Sequence, residues 1–415
     1  MELNNKLEEI EELFSRGVAE FIDPEGKFKE KLIKKTKGEN SGNIVIKFGV
    51  DPTRPDIHLG HAVVLRKLRK FQDLGCKVIF LVGDFTATIG DPSGKSKVRP
   101  EIEQAEVEKN VKSFLDQVGK ILTLDTSVFS WIRNSDWFYG VTDLEPKNAV
   151  RVFFQTTLVN PKSFIGKSIL FSQTRMQKTH LKSKEIVSVS LKGLLWTLKH
   201  ISFNRLVERD MFQERIKRGE ELFMHEMMYP VLQGIDSFVL GEIFGSCDLE
   251  IGGTDQTFNM LTGRDVMRVN RRPQQAVLTV RILEGTDGKE KMSKSMENFI
   301  GITDSPSDMY GKIMSIPDSS IINYFTLCTY TPLSAIEETK KELENGKGNP
   351  KNVKMKLARE TVAIYHGEDK ASKALEDFRK TFEKGEMPED VPEIQAKAGD
   401  ELSSLLLESG FVESK

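Results

Sequence analysis

Two of the six histidines in this 415-residue chain stand three residues apart, in "DPTRPDIHLGHAVVLRKLRKFQDLG" (51–75). Behind His58 and His61, the apolar residues Leu65, Leu68, Phe71 and Leu74 follow helical spacing, so the pair projects from one face of a helix's first turn. The unpaired backbone N–H groups and the dipole at that end favour an anion. Gly60, between the two, lets a planar ring or a phosphate approach the backbone. Two imidazoles so placed can donate hydrogen bonds to a phosphate gaining negative charge. The plainer alternative is that one histidine caps the helix and the other packs.

A second cluster lies in "GTDGKEKMSKSMENFIG" (285–301). Lys291, Lys294 and Ser295, with Ser293 between them, sit on a loop flanked by glycines. Such a loop can close on a triphosphate while its charge rearranges, although a lysine-rich loop alone is more often a solvated turn. A third lies in "HEMMYPVLQGIDSFVL" (225–240), where Tyr229, Gln233 and Asp236 are spaced i, i+4, i+7 on an otherwise apolar helix. Buried polar groups need partners, so the stripe is either a ligand-binding line or one wetted face.

The elements that must position these residues are legible in outline. "NIVIKFGVD" (43–51) and "KVIFLVGD" (77–84) read as buried strands, and the histidine segment between them as a helix with Gly75 at its C′ position. Strand, helix, strand in so short a span is a βαβ unit, hence a parallel sheet covered by helices. Ligands of such sheets sit beyond the carboxyl ends of the strands. Asp51, the His58 turn and Asp84 all lie there. Residues 2–35 read as helical, 101–122 as an amphipathic helix, and 248–267 as strand, glycine turn and helix. Helical patterns dominate from about Ser305 to Lys384. "GEMPEDVPE" (385–393) is a Pro/acid linker before one last helical stretch.

Length allows two or three domains. With 38% hydrophobic and 29% charged residues and a net charge of −2, any nucleic-acid contact must come from a local basic patch. No apolar run is long enough to cross a bilayer. The acidic, amphipathic N-terminus is unlike a signal or transit peptide, which favours a cytoplasmic setting. Cys76, Cys247 and Cys328 are scattered, against both a disulfide framework and a zinc site. Between Lys147 and Lys199 the only acid is Glu185, while lysine and arginine recur without sustained period.

"HLGH" together with "KMSKS" resembles the paired signature of the class I aminoacyl-tRNA synthetases. "FGVDPTRPDIHLGH", "GDFTATIGDPSGKSKVRP", "YPVLQGIDS", "IGGTDQTFN" and "ILEGTDGKEKMSKS" look, in that order, like the bacterial-type tyrosyl-tRNA synthetases, over roughly 1–140 and 200–415. The resemblance implies an α/β fold: a Rossmann-type parallel-sheet catalytic domain over 1–284, the loop at 285–300, and an all-helical anticodon-region domain over 301–384. It makes 385–415 a linker and the first helix of an incomplete RNA-binding domain of the ribosomal-protein S4 type. The activity implied is formation of tyrosyl-adenylate from L-tyrosine and ATP, then transfer to tRNA(Tyr). Mg²⁺ would accompany ATP without a protein metal site, and the chain would be a homodimer.

Position by position, the resemblance assigns His58 and His61 to the attacked phosphate, and Lys291 and Lys294 to the β,γ-phosphates and pyrophosphate. Lys95 and Arg99 match a second mobile cationic set. Gly60 lies under the adenine, Gly253 and Asp255 hold the ribose, and Ser293 and Ser295 complete the ATP set. Tyr229, Gln233 and Asp91 would hold the substrate ammonium, with Asp51 in the same set. Asp236 would accept the phenolic hydrogen, and Gln256 would contact the carboxylate end. Many tyrosyl enzymes place a tyrosine on the first strand against the phenol. Lys47 stands there here, leaving Asp236 as the firmer discriminator.

The stretch 147–199 has no counterpart in that family. It reads as a poorly ordered insertion, with a basic tRNA-facing loop or an artefact of how the gene was read as alternatives. The rival functions are a tryptophanyl-tRNA synthetase, a small-molecule adenylyltransferase with the same histidine motif, and a non-catalytic RNA-binding relative.

Overall fold

A computed structural model of the chain describes residues 2–53, 56–92, 104–138, 165–167, 187–189, 191–293 and 296–383, with the single positions 401 and 405. Lys95, Arg99, Lys294 and Ser295, most of the 147–199 stretch and nearly all of the 385–415 segment lie outside the described residues.

Among the described residues, six strands form the main sheet: β1 (Val18–Ile22), β2 (Val45–Val50), β3 (Lys77–Val82), β4 (Phe129–Arg133) and, after a separate antiparallel pair of β5 (Ile165–Lys167) and β6 (Val187–Val189), β7 (Leu249–Gly253) and β8 (Ala276–Val280). Their order is β1-β8-β7-β2-β3-β4. All neighbours run parallel except β1, which pairs antiparallel with β8. The chain leaves β2 toward β3 on one side and later returns through β7 on the other. The switch point, where a crevice opens at the carboxyl ends, therefore lies between β2 and β7.

Side chains alternate between two cores, as a sheet covered on both faces requires. Ile46, Phe48, Val78, Phe80 and Val82 face a core shared with the helix Leu59–Asp73 and with the C-terminal helices. Val45, Ile79, Leu81 and Ile132 face a second core built on the helix Met224–Phe244. The expected βαβ unit is present, and Gly75 has φ +76 just past the helix end.

One expectation is overturned. Residues 2–35 are not continuously helical: helices Glu2–Ser15 and Lys27–Thr36 are separated by β1. Gly17, at φ +64, turns the chain, and a Cβ there would overlap Leu327. The strand exists because the edge of β8 offers unpaired backbone groups, information a local helical pattern does not contain.

The helices between 306 and 383 are joined to the N-terminal part of the chain by cations. The Arg16 guanidinium donates to the carbonyls of Phe325, Thr326 and Thr329, and Arg66 to those of Leu327 and Thr329. Lys67 Nζ donates to Leu13 O at 2.6 Å and Arg16 O at 2.9 Å. These carbonyls close the C-terminal ends of the helices Ile321–Cys328 and Glu2–Ser15, where the macrodipole leaves partial negative charge. Arg66 and Lys67 belong to the same helix that begins with His58. The joint thus fixes that helix between the N-terminal and C-terminal helices.

Candidate active site

The histidine turn is held from two sides. Leu59 N–H donates to Ile300 O at 2.9 Å and Ile302 N–H to Ile57 O at 3.1 Å, so the chain leaving the KMSKS loop is stitched to it. On the other side Gln117 Oε1 accepts from Ile57 N–H at 2.8 Å. His58 and His61 lie with ring centroids 3.9 Å apart. His61 Nδ1 accepts a long hydrogen bond, 3.4 Å, from His58 N–H, which leaves the His61 proton on Nε2. His58 is buried, and its Nδ1 has no hydrogen-bond partner among the described residues. Burial, then the neighbouring His61 and Lys291 charges, lower the His58 pKa to about 2; burial and the Lys291 charge, against Asp255, lower that of His61 to about 4. Both rings are therefore neutral N–H donors at physiological pH.

Gly60 also bears on the packing of the histidine turn. A Cβ there would stand 3.0 Å from His58 Nδ1 and 3.8 Å from Met292 Cβ. The missing side chain makes room for the His58 ring.

Lys291 and Asp255, assigned separately to phosphate and ribose, are in contact. Lys291 Nζ donates to Asp255 Oδ2 at 2.6 Å. Gly253 ends β7, and a Cβ on it would crowd Asp255 Oδ1 at 2.6 Å. Ser293 N–H donates to Asn298 Oδ1 at 2.8 Å.

The six residues expected to bind the amino acid fall into two polar networks that meet along the helix Met224–Phe244. In the first, Tyr229 OH donates to Asp51 Oδ2 at 2.7 Å, and Thr86 Oγ1 to Asp51 Oδ1 at 2.8 Å. Asn134 Nδ2 bridges Thr86 Oγ1 (3.0 Å) and Asp236 Oδ2 (3.3 Å), while Trp137 Nε1 donates to Asp236 Oδ1 at 3.0 Å. In the second, Asn259 Nδ2 donates to both Gln233 Oε1 (3.0 Å) and Gln256 Oε1 (3.1 Å). Gln256 Nε2 then donates to Asp91 Oδ2 at 2.7 Å, with Arg209 NH2 3.8 Å from Asp91 Oδ1. The stripe on Met224–Phe244 is thus a buried line, with Tyr229 and Asp236 5% and 3% exposed, rather than a wetted face.

Lys47 is explained by register. It stands beside Glu250 in the parallel pairing of β2 with β7. Its ammonium lies 2.8 Å from Glu250 Oε1 and donates to Gln233 O and Ser237 Oγ at 2.8 and 2.9 Å. Glu250 in turn accepts from Gln233 Nε2, Ser237 Oγ and Gln275 Nε2. Lys47 therefore anchors the helix bearing the stripe instead of offering its charge to a ligand. Burial pushes the Asp236 carboxyl up to about 7, although Lys47, Trp137 and Asn134 pull it down.

Sequence reading missed Thr86, Asn134, Trp137, Glu250, Asn259 and Arg209. Each is an ordinary polar residue in an unremarkable position. Only "GDFTATIGD", notable for its glycines and acids, held a signal that could have flagged Thr86.

The site lies where this class of fold binds nucleotides. The family described as tRNA synthetases class I (W and Y) matches residues 39–383, and the chain belongs to it. Its relatives include tyrosine–tRNA ligase 2 of Vibrio cholerae, 38% identical over 96% of this chain and 85% of that one. The tyrosine–tRNA ligase of Thermotoga maritima is 38% identical over 98% of this chain and 86% of that one. Among solved structures, a C-terminally truncated mitochondrial tyrosyl-tRNA synthetase from Aspergillus nidulans superposes with TM-score 0.62 at 20% identity, covering 92% of this chain and 97% of that one. The Archaeoglobus fulgidus tyrosyl-tRNA synthetase complexed with L-tyrosine does so with TM-score 0.58 at 19% identity, covering 89% and 99%. These two likenesses establish the Rossmann-type fold.

Proposed function

We propose that this chain is a tyrosine–tRNA ligase, activating L-tyrosine with ATP and passing it to tRNA(Tyr). The observation that carries the choice of amino acid is the buried Asp236. It is an acceptor set deep on an apolar helix, with Trp137 and Asn134 holding one carboxylate oxygen each. A site built to accept a phenolic hydrogen rejects phenylalanine because the acceptor is left unpaired, a rule for which tyrosyl-tRNA synthetases are themselves the standard example. The curated relatives are named for tyrosine.

Catalysis uses position and electrostatics, with no protein nucleophile. The tyrosine carboxylate attacks the α-phosphate of ATP and pyrophosphate leaves. His58 and His61 donate neutral N–H groups to the phosphate as its charge grows, His58 having a buried ring nitrogen without a partner among the described residues. Lys291, with Lys294, Lys95 and Arg99 from the sequence motifs, neutralises the departing pyrophosphate. Asp255 accepts from the ribose once Lys291 leaves it, Gly253 lets the ribose close on the strand end, and Ser293 and Ser295 line the loop. Tyr229, Asp51, Asp91 and Gln233 face the ammonium end, and Gln256 the carboxylate. Mg²⁺ enters with ATP as part of the substrate.

The same reading includes a homodimer and a cytoplasmic setting. Leu191, Leu195, Phe203, Phe223 and Met224 are each large, apolar and exposed, residues of the kind that another copy covers. No described helix is long and apolar enough to cross a membrane. The helices between 306 and 383 form the anticodon-region domain. ATP–pyrophosphate exchange measured with each of the twenty amino acids tests the reading. Exchange driven by tryptophan, or by none, would overturn it.

A further inference from the structure

We infer that Asn298 and Asp287 are positioning residues for the KMSKS loop, forming a polar clip that sets where Lys291 can reach. The inference rests on the reading of the chain as an ATP-using ligase.

Asn298 is 4% exposed and lies just past the loop. Its Oδ1 accepts from Ser293 N–H at 2.8 Å. Its Nδ2 donates to Asp287 Oδ2 at 2.7 Å, with Lys291 O at 3.4 Å. Its own carbonyl accepts from Thr286 N–H at 2.9 Å. One side chain thus ties the start of the loop to both sides of Met292. Asp287 continues the frame: its Oδ1 accepts from Lys289 N–H at 2.8 Å and Glu290 N–H at 3.1 Å. The bond from Lys289 N–H, and then that from Asn298, hold its carboxyl below the usual range.

The surrounding residues are shaped to the clip. A Cβ on Gly285 would overlap the Asn298 side chain, and Gly288 turns at φ +63 with Pro317 against it. Met292, 1% exposed, plugs the loop into the core, and its N–H donates to Leu283 O at 3.0 Å. The frame is therefore fixed while the Lys291 side chain extends from it to Asp255. ATP entering the ribose site has to displace that ammonium. A lysine released from a rigid frame has one short arc to travel, toward the phosphates; released from a slack loop it would sample solvent.

Donor and acceptor polarity makes the clip testable. Only an amide supplies both the acceptor for Ser293 and the donor for Asp287. Asn298→Asp keeps the first and sets two carboxylates against each other. Adding Asp287→Asn restores a donor–acceptor pair with its direction reversed, and the asparagine oxygen still accepts from Lys289 and Glu290.

In tyrosine-dependent exchange by the full chain, Asn298→Asp is expected to lower kcat/KM for ATP by about tenfold or more, the loss of one or two hydrogen bonds. Tyrosine affinity, titrated without ATP, should stay within about twofold. The double variant should recover most of the loss. Amide hydrogen exchange gives a second readout, with protection at Lys289, Glu290 and Ser293 lost in Asn298→Asp and regained in the double variant. An unaffected ATP kcat/KM, a double variant no better than Asn298→Asp, or tyrosine affinity falling in step would each overturn the inference. If the wild type shows no tyrosine-dependent exchange, the ligase reading fails instead, and the amide protection pattern still decides the clip.

Discussion

Replacing Asp236 by asparagine keeps its shape and removes its charge, which separates selection of the phenol from packing. The carboxylate already accepts from Trp137 Nε1 and Asn134 Nδ2. An asparagine must point its NH₂ at one of these donors or at the phenol. A hydrogen bond to a charged acceptor contributes about 1.5–3 kcal/mol. The preference for tyrosine over phenylalanine in exchange should therefore fall by about 10- to 150-fold. The wild type adds a pH signature. Burial pushes the Asp236 pKa up to about 7, so the ionised fraction climbs from about one tenth at pH 6 to about nine tenths at pH 8. Tyrosine kcat/KM should rise roughly tenfold over that window, and the asparagine variant should lose the rise. Stability should respond in the opposite sense. A carboxyl whose folded pKa lies above its ordinary 3.8 contributes fully below that value and loses the contribution as pH rises through 7. The variant should gain Tm relative to wild type between pH 5 and pH 8. A flat wild-type profile, or discrimination untouched by the substitution, would refute the reasoning and assign selection to another group.

Lys291→Ala should cut the rate of adenylate formation by at least about tenfold, since the lysine acts as charge moves onto pyrophosphate. Tyrosine affinity should stay intact, and an equal fall in both would make the loop structural; Lys294→Ala, chosen from the sequence motif alone, should behave the same way. Lys47→Met leaves Glu250 buried without its partner, and urea unfolding should show a loss of about 3–5 kcal/mol. Adding Glu250→Gln should return part of it, and no recovery would mean that the pair contributes little. Phe203→Glu combined with Met224→Glu should halve the mass seen by light scattering, whereas an unchanged mass would put the subunit contact elsewhere.

The local periodicities of the sequence determined a good deal. Apolar runs bounded by Gly and Asp marked β2 and β3, helical spacing marked the His58 helix, and Gly75 marked its end. The i, i+4, i+7 spacing placed Tyr229, Gln233 and Asp236 on one line, because helix geometry fixes which side chains share a face. The place of a crevice also followed, since parallel sheets open at their strand ends. Only the tertiary structure decided which polar group meets which. Lys47 meets Glu250 because β2 lies beside β7, a pairing between segments some two hundred residues apart. Asp236 meets Trp137 and Asn134 because the helix Met224–Phe244 packs over the end of β4. β1 was invisible because its existence depends on the free edge of β8, not on its own residues. Lys291 likewise read as a phosphate ligand alone until the fold put Asp255 within its reach. Periodicity is a property of neighbours along the chain, whereas a buried polar group is satisfied by whatever the fold brings to it.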